Sequence, residues 1–600
     1  MPESKIKKRN IVLCSDGTGN QGGTTPDSNV FKIYNAVKIN SQKNETEQIT
    51  FYDNGVGTSK ISIMKALGGG MGVGFKQNVR DLYEFLGRNY KEGDDIYIFG
   101  FSRGAATVRA FAGMIEHCGL VVKRRIKEAD RSEEEFQGLI NRAMNAYEKG
   151  KLIKFPDGKI QERNYTEAKL FREDKAYRHS EFAPKGKLKI EFMGIWDTVS
   201  SLGVPQLGNF DLLVNKRYPH LFYDFEPKDC IKNIYHAIAV DDERLTFRPM
   251  VWDETNFNGG GTIEQVWFPG MHSNVGGGYD RQELATVTLD WIIEKLSDHK
   301  DSSPPNGGLV LKPSAIDDAK SDANPFGKLH DSRSGSGIFY RYQPRNIMRL
   351  CANRLKGQIK IHNSVFKRIK FRTGGYAPLS IPEPKEFEVV YTRNGGSPSN
   401  SLQNNSTDEA GTTKEYTDLR KKFDIQIEKR KKLYWLFLKS TLLLLIVSFI
   451  EWMGSAKKPK IQIDQGQNVS VFENLTDGSW WSKLINDFTS GMAHLTDWSL
   501  WLKNLTDWNW WFGLLIGFIN CSLEHIADVL NYFLPDFFEG IITLGVINQP
   551  WLFLILICYS WGLWSYRSNI LNKMKVLKED ARLELLKLME PSKKQEPSEG

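Results

Sequence analysis

From Ile96 to Cys118 a short apolar run meets the pentapeptide Gly100-Phe101-Ser102-Arg103-Gly104 and passes at once into a helix-competent stretch. No other feature narrows the fold as much. A strand that turns straight into a helix, with small residues on both sides of a serine, lifts the hydroxyl clear of the backbone at a helix N-terminus. The pentapeptide alone is a weak signal that a Gly-rich turn would also explain. The strand before it and the helix after it argue for a nucleophile elbow. Such an elbow needs a parallel sheet around it, and residues 10–300 have the matching rhythm: short apolar runs ending in Gly- and Asp-rich turns alternate with segments of helical period. The runs Ile11–Cys14, Ile96–Phe99, Ile190–Trp196 and Gln265–Phe268 are the expected strands. In an open α/β sheet the loops at the carboxyl ends of the strands converge on one crevice. The fold class expected is α/β, a mainly parallel sheet with flanking helices.

A serine at its ordinary pKa is a poor nucleophile, so a base and an orienting acid must lie downstream. His272, in Trp267-Phe268-Pro269-Gly270-Met271-His272-Ser273-Asn274-Val275-Gly276-Gly277-Gly278, follows an expected strand among glycines that allow close approach. It is the candidate general base. His236, inside the apolar run Ile234–Val240, and His117, late in the elbow helix, suit packed positions better; His299, His330 and His362 lie in or near polar segments. Asp197 closes the strand Ile190–Trp196 and is the candidate acid, with Asp241 and Asp242 as alternatives. The resulting order of serine, aspartate and histidine is that of α/β-hydrolases. An oxyanion hole needs backbone donors. Arg103 offers one by position, and Asp16-Gly17-Thr18-Gly19-Asn20 at the end of the first strand could bring another from Gly17 or Thr18. A phosphate loop is disfavoured there because no Gly-Lys-Ser/Thr follows.

Six hundred residues exceed one hydrophobic core, so a second module is expected. The catalytic domain is expected over 1–392, with a helical insertion at about 120–185, read either as a solvated excursion or as a lid, and a surface loop over 300–345. Residues 393–418 are expected to be a flexible linker, being polar and of low complexity. Beyond it, 419–600 carries two apolar stretches, about 433–453 and 547–566, each long enough to cross about 30 Å of hydrocarbon. Between positions 435 and 564 lie 12 of the 16 tryptophans, a residue that favours the headgroup interface. Leu-Thr-Asp recurs there at 475, 495 and 505, reading as Asp-capped interfacial helices. Seven Lys/Arg occupy 420–432 and six occupy 567–587, whereas 454–546 holds five against ten Asp/Glu. The positive-inside rule then predicts an α-helical transmembrane hairpin with both flanks cytosolic. The net charge of +8 forms no basic stripe in 1–390, which argues against nucleic acid. Six cysteines without metal-ligand spacing suit a reducing compartment, and Met1–Asn10 lacks the apolar core of a signal peptide. Neither a metal nor a cofactor is implied.

Asp16–Asn20, Ser28-Asn29-Val30, Tyr52-Asp53-Asn54-Gly55-Val56-Gly57-Thr58, Gly93-Asp94, Gly100–Val108, Gly194–Val199, His236–Pro249 and Phe268–Tyr279 occur in one order. Together they resemble the uncharacterised α/β-hydrolase domain family that includes the type VI secretion phospholipase effectors. The resemblance covers roughly 8–370, with Lys328–Ser332 and His362–Val365 as its last landmarks. It implies an α/β-hydrolase-like fold and a hydrolase of phospholipid acyl esters, with the triad roles on Ser102, Asp197 and His272. Where the family often carries Asp, position 274 is Asn.

The expectation is a phospholipase or lipase acting as a toxin or defence effector. It would be a multi-pass protein of a bacterial inner membrane, with its catalytic domain and C-terminus cytosolic. Its partners would be phospholipid and the bilayer, with room for a regulatory protein or a second copy of the chain. An alternative from another class is a membrane pore or scaffold whose hydrolase-like domain serves as a binding module. A soluble esterase of small molecules requires that the hairpin be absent.

Overall fold

The computed structural model describes residues 9–17, 20, 22–39, 46–54, 70–125, 132–154, 160–164, 166–173, 188–199, 226–258, 260–299, 308–334, 340–392, 410–455 and 550–589. They fall into two compact units, Met1–Glu428 with Lys573–Gly600, and Lys429–Asn572.

The first unit opens with β1 (Arg9–Ser15), α1 (Asn29–Ala36), β2 (Glu47–Asp53), α2 (Gly70–Asn89), β3 (Asp95–Phe101) and α3 (Arg103–Cys118). After α4 (Ser132–Glu148), the hairpin β4 (Lys151–Lys154) with β5 (Ile160–Asn164), and α5 (Thr166–Glu173), the sheet resumes with β6 (Ile190–Trp196), β7 (Asn233–Ala239) and β8 (Thr262–Phe268). Then come α6 (His272–Gly276), α7 (Glu283–Asp298), α8 (Pro313–Asp322), α9 (Ile347–Cys351), β9 (Ile359–His362), α10 (Asn363–Lys370) and β10 (Phe387–Val390). Eight strands form one sheet in the order β10-β9-β8-β7-β6-β3-β1-β2, and each neighbouring pair is parallel. All four expected strands lie in it. The chain leaves β1 toward β2 and returns on the other side to β3, so the order reverses between β1 and β3. Ligands of open α/β sheets bind outside the carboxyl ends at such a reversal.

Side chains alternate across each strand, and both faces are covered. Ile11, Leu13, Ile96, Ile98, Met193 and Ile195 point into one core, shared with Leu82, Leu86, Val108, Phe111, Phe136 and Ile140 from α2, α3 and α4. Val12, Cys14, Tyr97, Phe99, Phe192 and Trp196 point into the other, shared with Val30, Ile33, Trp291 and Ile292 from α1 and α7. The helix α4, inside the expected insertion at 120–185, is thus part of a core layer. Residues 174–187 of that segment lie outside the described residues.

Two further expectations change. The stretch 300–345 is not only a surface loop: it contains α8, Leu309 and Leu311 are buried in the second core, and Tyr342 and Arg345 are buried as well. The expected linker 393–418 is helical from Ala410, where α11 (Ala410–Ser455) begins. The Tyr416 hydroxyl donates to the Ile381 carbonyl at 3.0 Å, and Thr417 bonds Glu383, so this end of the helix is docked on the first unit. The end of α12 (Pro550–Met589) docks there too, with Arg582 donating to the Ile369 carbonyl at 3.1 Å and Arg372 paired with Glu579 at 3.3 Å.

These two helices contain the expected span 433–453 and most of 547–566. Among the described residues, no helix is long and apolar enough to cross a membrane, so the transmembrane hairpin has no support there. In α12 the apolar stretch runs directly into a segment whose Ile570, Met574, Ala581 and Leu585 are buried. The tryptophan-rich repeats between 456 and 549 lie outside the described residues.

The β3–α3 turn sits very close to β1. A Cβ on Gly104 would lie 2.1 Å from the Ser15 carbonyl oxygen and 2.6 Å from that of Asp16, both backbone atoms that cannot swing aside. Gly104→Ala is therefore expected to lower stability by at least about 3 kcal/mol through overpacking. Gly138→Ala, inside α4 where a Cβ would meet nothing within 4 Å, should raise it by about 0.5–1 kcal/mol. Thermal denaturation of the two variants beside the unsubstituted protein checks the contrast.

Candidate active site

Ser102 follows β3 directly and holds φ 58°, ψ −120°, a conformation that L side chains rarely adopt. Such strain persists only where the surroundings enforce it. Here the Ser102 N–H donates to the Trp196 carbonyl at 3.0 Å, and the Val199 N–H donates to the Ser102 carbonyl at 3.4 Å. The bend is thus pinned to the loop after β6, which carries Asp197. The Ser102 hydroxyl does not cap α3, and its Oγ lies 2.7 Å from Nε2 of His272.

His272 begins α6 after β8, and its Nδ1 lies 2.6 Å from Oδ2 of Asp197. The ring is buried between Phe101, 4.7 Å away between centroids, and the edge-on Phe247 at 4.9 Å. Burial lowers the imidazole pKa, and the hydrogen bond and charge of Asp197 only partly oppose it. In the neutral ring, Nδ1–H donates to Asp197 and Nε2 is left to accept the serine proton. Gly276 permits the approach of this turn to β3, since a Cβ there would fall 2.0 Å from the Phe101 ring.

Asp197 is fully buried, also at positive φ (37°), and its carboxylate accepts from a backbone N–H, a guanidinium and the imidazole. Oδ1 accepts from the Ala239 N–H at 2.9 Å and from Nη1 of Arg345 at 2.6 Å. Oδ2 accepts from His272 and from Nη2 of Arg345 at 2.8 Å. Burial alone would raise its pKa, but the charge and hydrogen bonds of Arg345, then those of His272, outweigh it and hold the carboxyl well below the usual range. The alternatives Asp241 and Asp242 do not reach the imidazole nitrogens as acceptors. Asp242 accepts the backbone N–H of His272 at 3.1 Å and pairs with Arg244 at 2.7 Å. Asp241 accepts from the Gly270 N–H at 2.7 Å and the Tyr376 hydroxyl at 2.8 Å, and burial pushes it up to about 6. Both therefore shape the turn that presents His272.

The remaining histidines lie elsewhere. His236 is fully buried in β7, pushed down to about 3 by burial, and its Nε2 accepts from the Thr198 N–H at 3.2 Å, beside Asp197. His362 caps α10 and stacks on Phe268, His330 stacks on Tyr279, His299 bonds Tyr235, and His117 stacks on Tyr147. Asn274 bridges the His272 turn to 328–330: its Oδ1 accepts from the His330 N–H at 3.1 Å, and its Nδ2 donates to the Lys328 carbonyl at 3.1 Å. An aspartate at that position could not make the second bond.

The loop after β1 is built around Asp16. Its carboxylate accepts from the Gly17 N–H at 2.6 Å, Asn20 Nδ2 at 3.1 Å, the Tyr52 hydroxyl at 2.6 Å and the Ser28 hydroxyl. The Gly17 N–H, expected as an oxyanion donor, is therefore already engaged within its own loop, and Thr18 lies outside the described residues. Arg103 is the first residue of α3, so its N–H stands at the positive end of that helix, while burial pushes its guanidinium down to about 10. Ser28 and Asn29 tie α1 to the site. Asn29 Nδ2 donates to the carbonyls of Val275 and Ala285 and to the Thr288 hydroxyl, at 3.0, 2.9 and 3.0 Å. Among the described residues, no cluster of His, Cys, Asp or Glu could hold a metal ion.

Residues 9–295 match the family model described as T6SS, phospholipase effector Tle1-like, catalytic domain. An uncharacterized protein of Saccharomyces cerevisiae, YEL023C, is 28% identical over 255 residues, covering 40% of this chain and 32% of that protein. Among solved structures, an uncharacterized protein from Pseudomonas aeruginosa is 18% identical with a TM-score of 0.26, covering 53% of this chain and 49% of that one. A structure of the Tle1 effector bound to the VgrG spike of the type VI secretion system is 17% identical with a TM-score of 0.24, covering 46% of this chain and 52% of that one. The chain thus spans about a third of the yeast relative and about half of each structure. Residues 9–295 of this chain are thus similar to the catalytic domain of Tle1-like phospholipase effectors.

Proposed function

We propose that the chain is a serine hydrolase that cleaves acyl esters of phospholipids and acts as an effector against lipid membranes. The observation that carries this reading is the continuous chain of hydrogen bonds from Ser102 Oγ through His272 to Asp197, at 2.7 and 2.6 Å. His272 draws the proton from the Ser102 hydroxyl as Oγ attacks the ester carbon, and Asp197 stabilises the imidazolium that forms. The tetrahedral oxyanion develops beside the start of α3, where the Arg103 N–H is the donor offered by position. Collapse of that intermediate releases the alcohol, the lysophospholipid, which takes the proton from His272. Water, activated by the same imidazole, then hydrolyses the acyl-serine and returns the fatty acid. The match of residues 9–295 to the Tle1-like phospholipase catalytic domain supports the phospholipid as substrate.

Membrane association through 419–600 belongs to the same proposal. It rests on the apolar stretches, the tryptophan content and the flanking cations of that segment, with the hydrolase domain on the cytosolic side. Recovery of the protein in the soluble fraction without detergent would remove this part and leave the hydrolase intact.

Ser102→Ala is expected to lower fatty-acid release from mixed phospholipid vesicles by at least about 10⁴-fold, as loss of a triad nucleophile does. Mass spectrometry of the products from both proteins checks it, and retained release by the variant would refute the mechanism. A second expectation concerns pH. Protonation removes the base, so activity falls as pH drops through the His272 pKa, and burial places that pKa below the ordinary imidazole value of 6.5. The acid limb of the kcat/KM profile should therefore lie below pH 6.5. A limb above that value would contradict the burial argument.

A further inference from the structure

Arg345 stands fifty residues beyond the segment that carries the family match, yet it is the only side chain besides His272 seen to bond the Asp197 carboxylate among the described residues. Its two terminal nitrogens bond one carboxylate oxygen each, at 2.6 and 2.8 Å, the two-pronged geometry that fixes a carboxylate in plane as well as in position. The same nitrogens donate to the backbone carbonyls of Ala239, at the end of β7, and Phe247, at 2.6 Å for the latter. The guanidinium is buried, as is its partner. It touches neither Ser102 nor the imidazole in these contacts.

We propose that Arg345 is a positioning residue of the hydrolase and sets the proton affinity of His272 through Asp197. The inference rests on the triad reading above. A buried Asp197 anion facing His272 alone would favour the imidazolium and raise its pKa. A guanidinium bonded to both oxygens spreads that negative charge over a second cation, so the imidazole stays neutral and able to accept a proton at lower pH. Among the described residues, the other charged groups near the ring are Asp242, at its backbone N–H, Arg244, paired with Asp242, and Asp241, at the Gly270 N–H. Asp242 and Arg244 act on the ring with opposite signs, so removal of Arg345 leaves the Asp197 field as the change that His272 feels. Arg345 also carries Phe247, whose ring packs edge-on to His272, through the carbonyl it holds.

The test uses the full chain and a fluorophosphonate probe that reacts covalently with an activated serine. The second-order labelling rate is measured from pH 4.5 to 9 for the unsubstituted protein, Ser102→Ala, Arg345→Met and Arg345→Lys. Only folded molecules react, so the pH dependence of the rate constant does not depend on how much of a variant folds. In Arg345→Met the acid limb should move up by about one pH unit or more. Arg345→Lys, which keeps the charge and loses the second prong, should move it by less and recover most of the plateau rate. If Arg345→Met yields no folded protein, the upward shift in Arg345→Lys decides the matter. An unchanged limb in every variant that labels would overturn the proposal, even if plateau rates fall, because a merely structural role moves the rate and not the pKa. Labelling that is absent in the unsubstituted protein, or equal in Ser102→Ala, would instead overturn the triad reading itself.

Discussion

The site depends on one buried negative charge. An ionised carboxylate withdrawn from water costs several kcal/mol unless its lone pairs are met and its charge is opposed. At Asp197 this is achieved by donors from three places: the backbone at the end of β7, the imidazole after β8, and the guanidinium of Arg345. Breaking such a pair from one side costs about 3–5 kcal/mol, because the remaining charge is left buried. The carboxylate therefore forces those elements to stay where they are, and the imidazole orientation follows from that.

Strain and electrostatics are joined in the same few residues. Ser102 and Asp197 both hold positive φ, a conformation that costs about 1–3 kcal/mol for a side chain of this kind. The two strained residues stabilise each other's loops, since Ser102 donates to Trp196 and Val199 donates back to Ser102 across the β3–β6 boundary. Neither bend is sustained by its own sequence alone. Aromatic walls from Phe101 and Phe247 bury the ring between them, and this burial lowers the imidazole pKa.

Much of this arrangement is legible in the residues. The strands β1, β3, β6 and β8 announce themselves because each is an apolar run closed by Ser15, Gly100, Asp197 or Pro269-Gly270, and three of the loops that follow carry Ser102, Asp197 and His272. The strand β2 does not: Glu47–Asp53 mixes polar and apolar residues, and among the described residues it is the last strand on its side of the sheet. In β7 the apolar run around His236 shows burial without showing pairing. Arg345 is invisible in sequence, a lone arginine between Pro344 and Asn346 whose carboxylate partner lies 148 residues away. The helix α8 has Pro313 in its first turn, yet the Gly- and Ser-rich residues on either side lead the whole stretch to be expected as a loop. At Gly17 the small residues suggested an open backbone donor, and the preceding aspartate captures it, a local competition that residue size alone does not reveal. The bonds of Tyr416 to the Ile381 carbonyl and of Arg582 to the Ile369 carbonyl have no signature in hydropathy, which speaks only of the apolar stretches.

The sheet does not stop where the family match stops. Strands β9 and β10 extend it past residue 295, and the guanidinium that neutralises Asp197 arrives later still. During synthesis, the elbow serine, the aspartate and the imidazole all leave the ribosome before that cation exists. A nascent chain therefore holds these three side chains without the charge balance that joins them, and the full hydrogen-bonded arrangement can close only after Arg345 has emerged. Late closure of the Asp197 charge balance is thus built into the order of the chain itself.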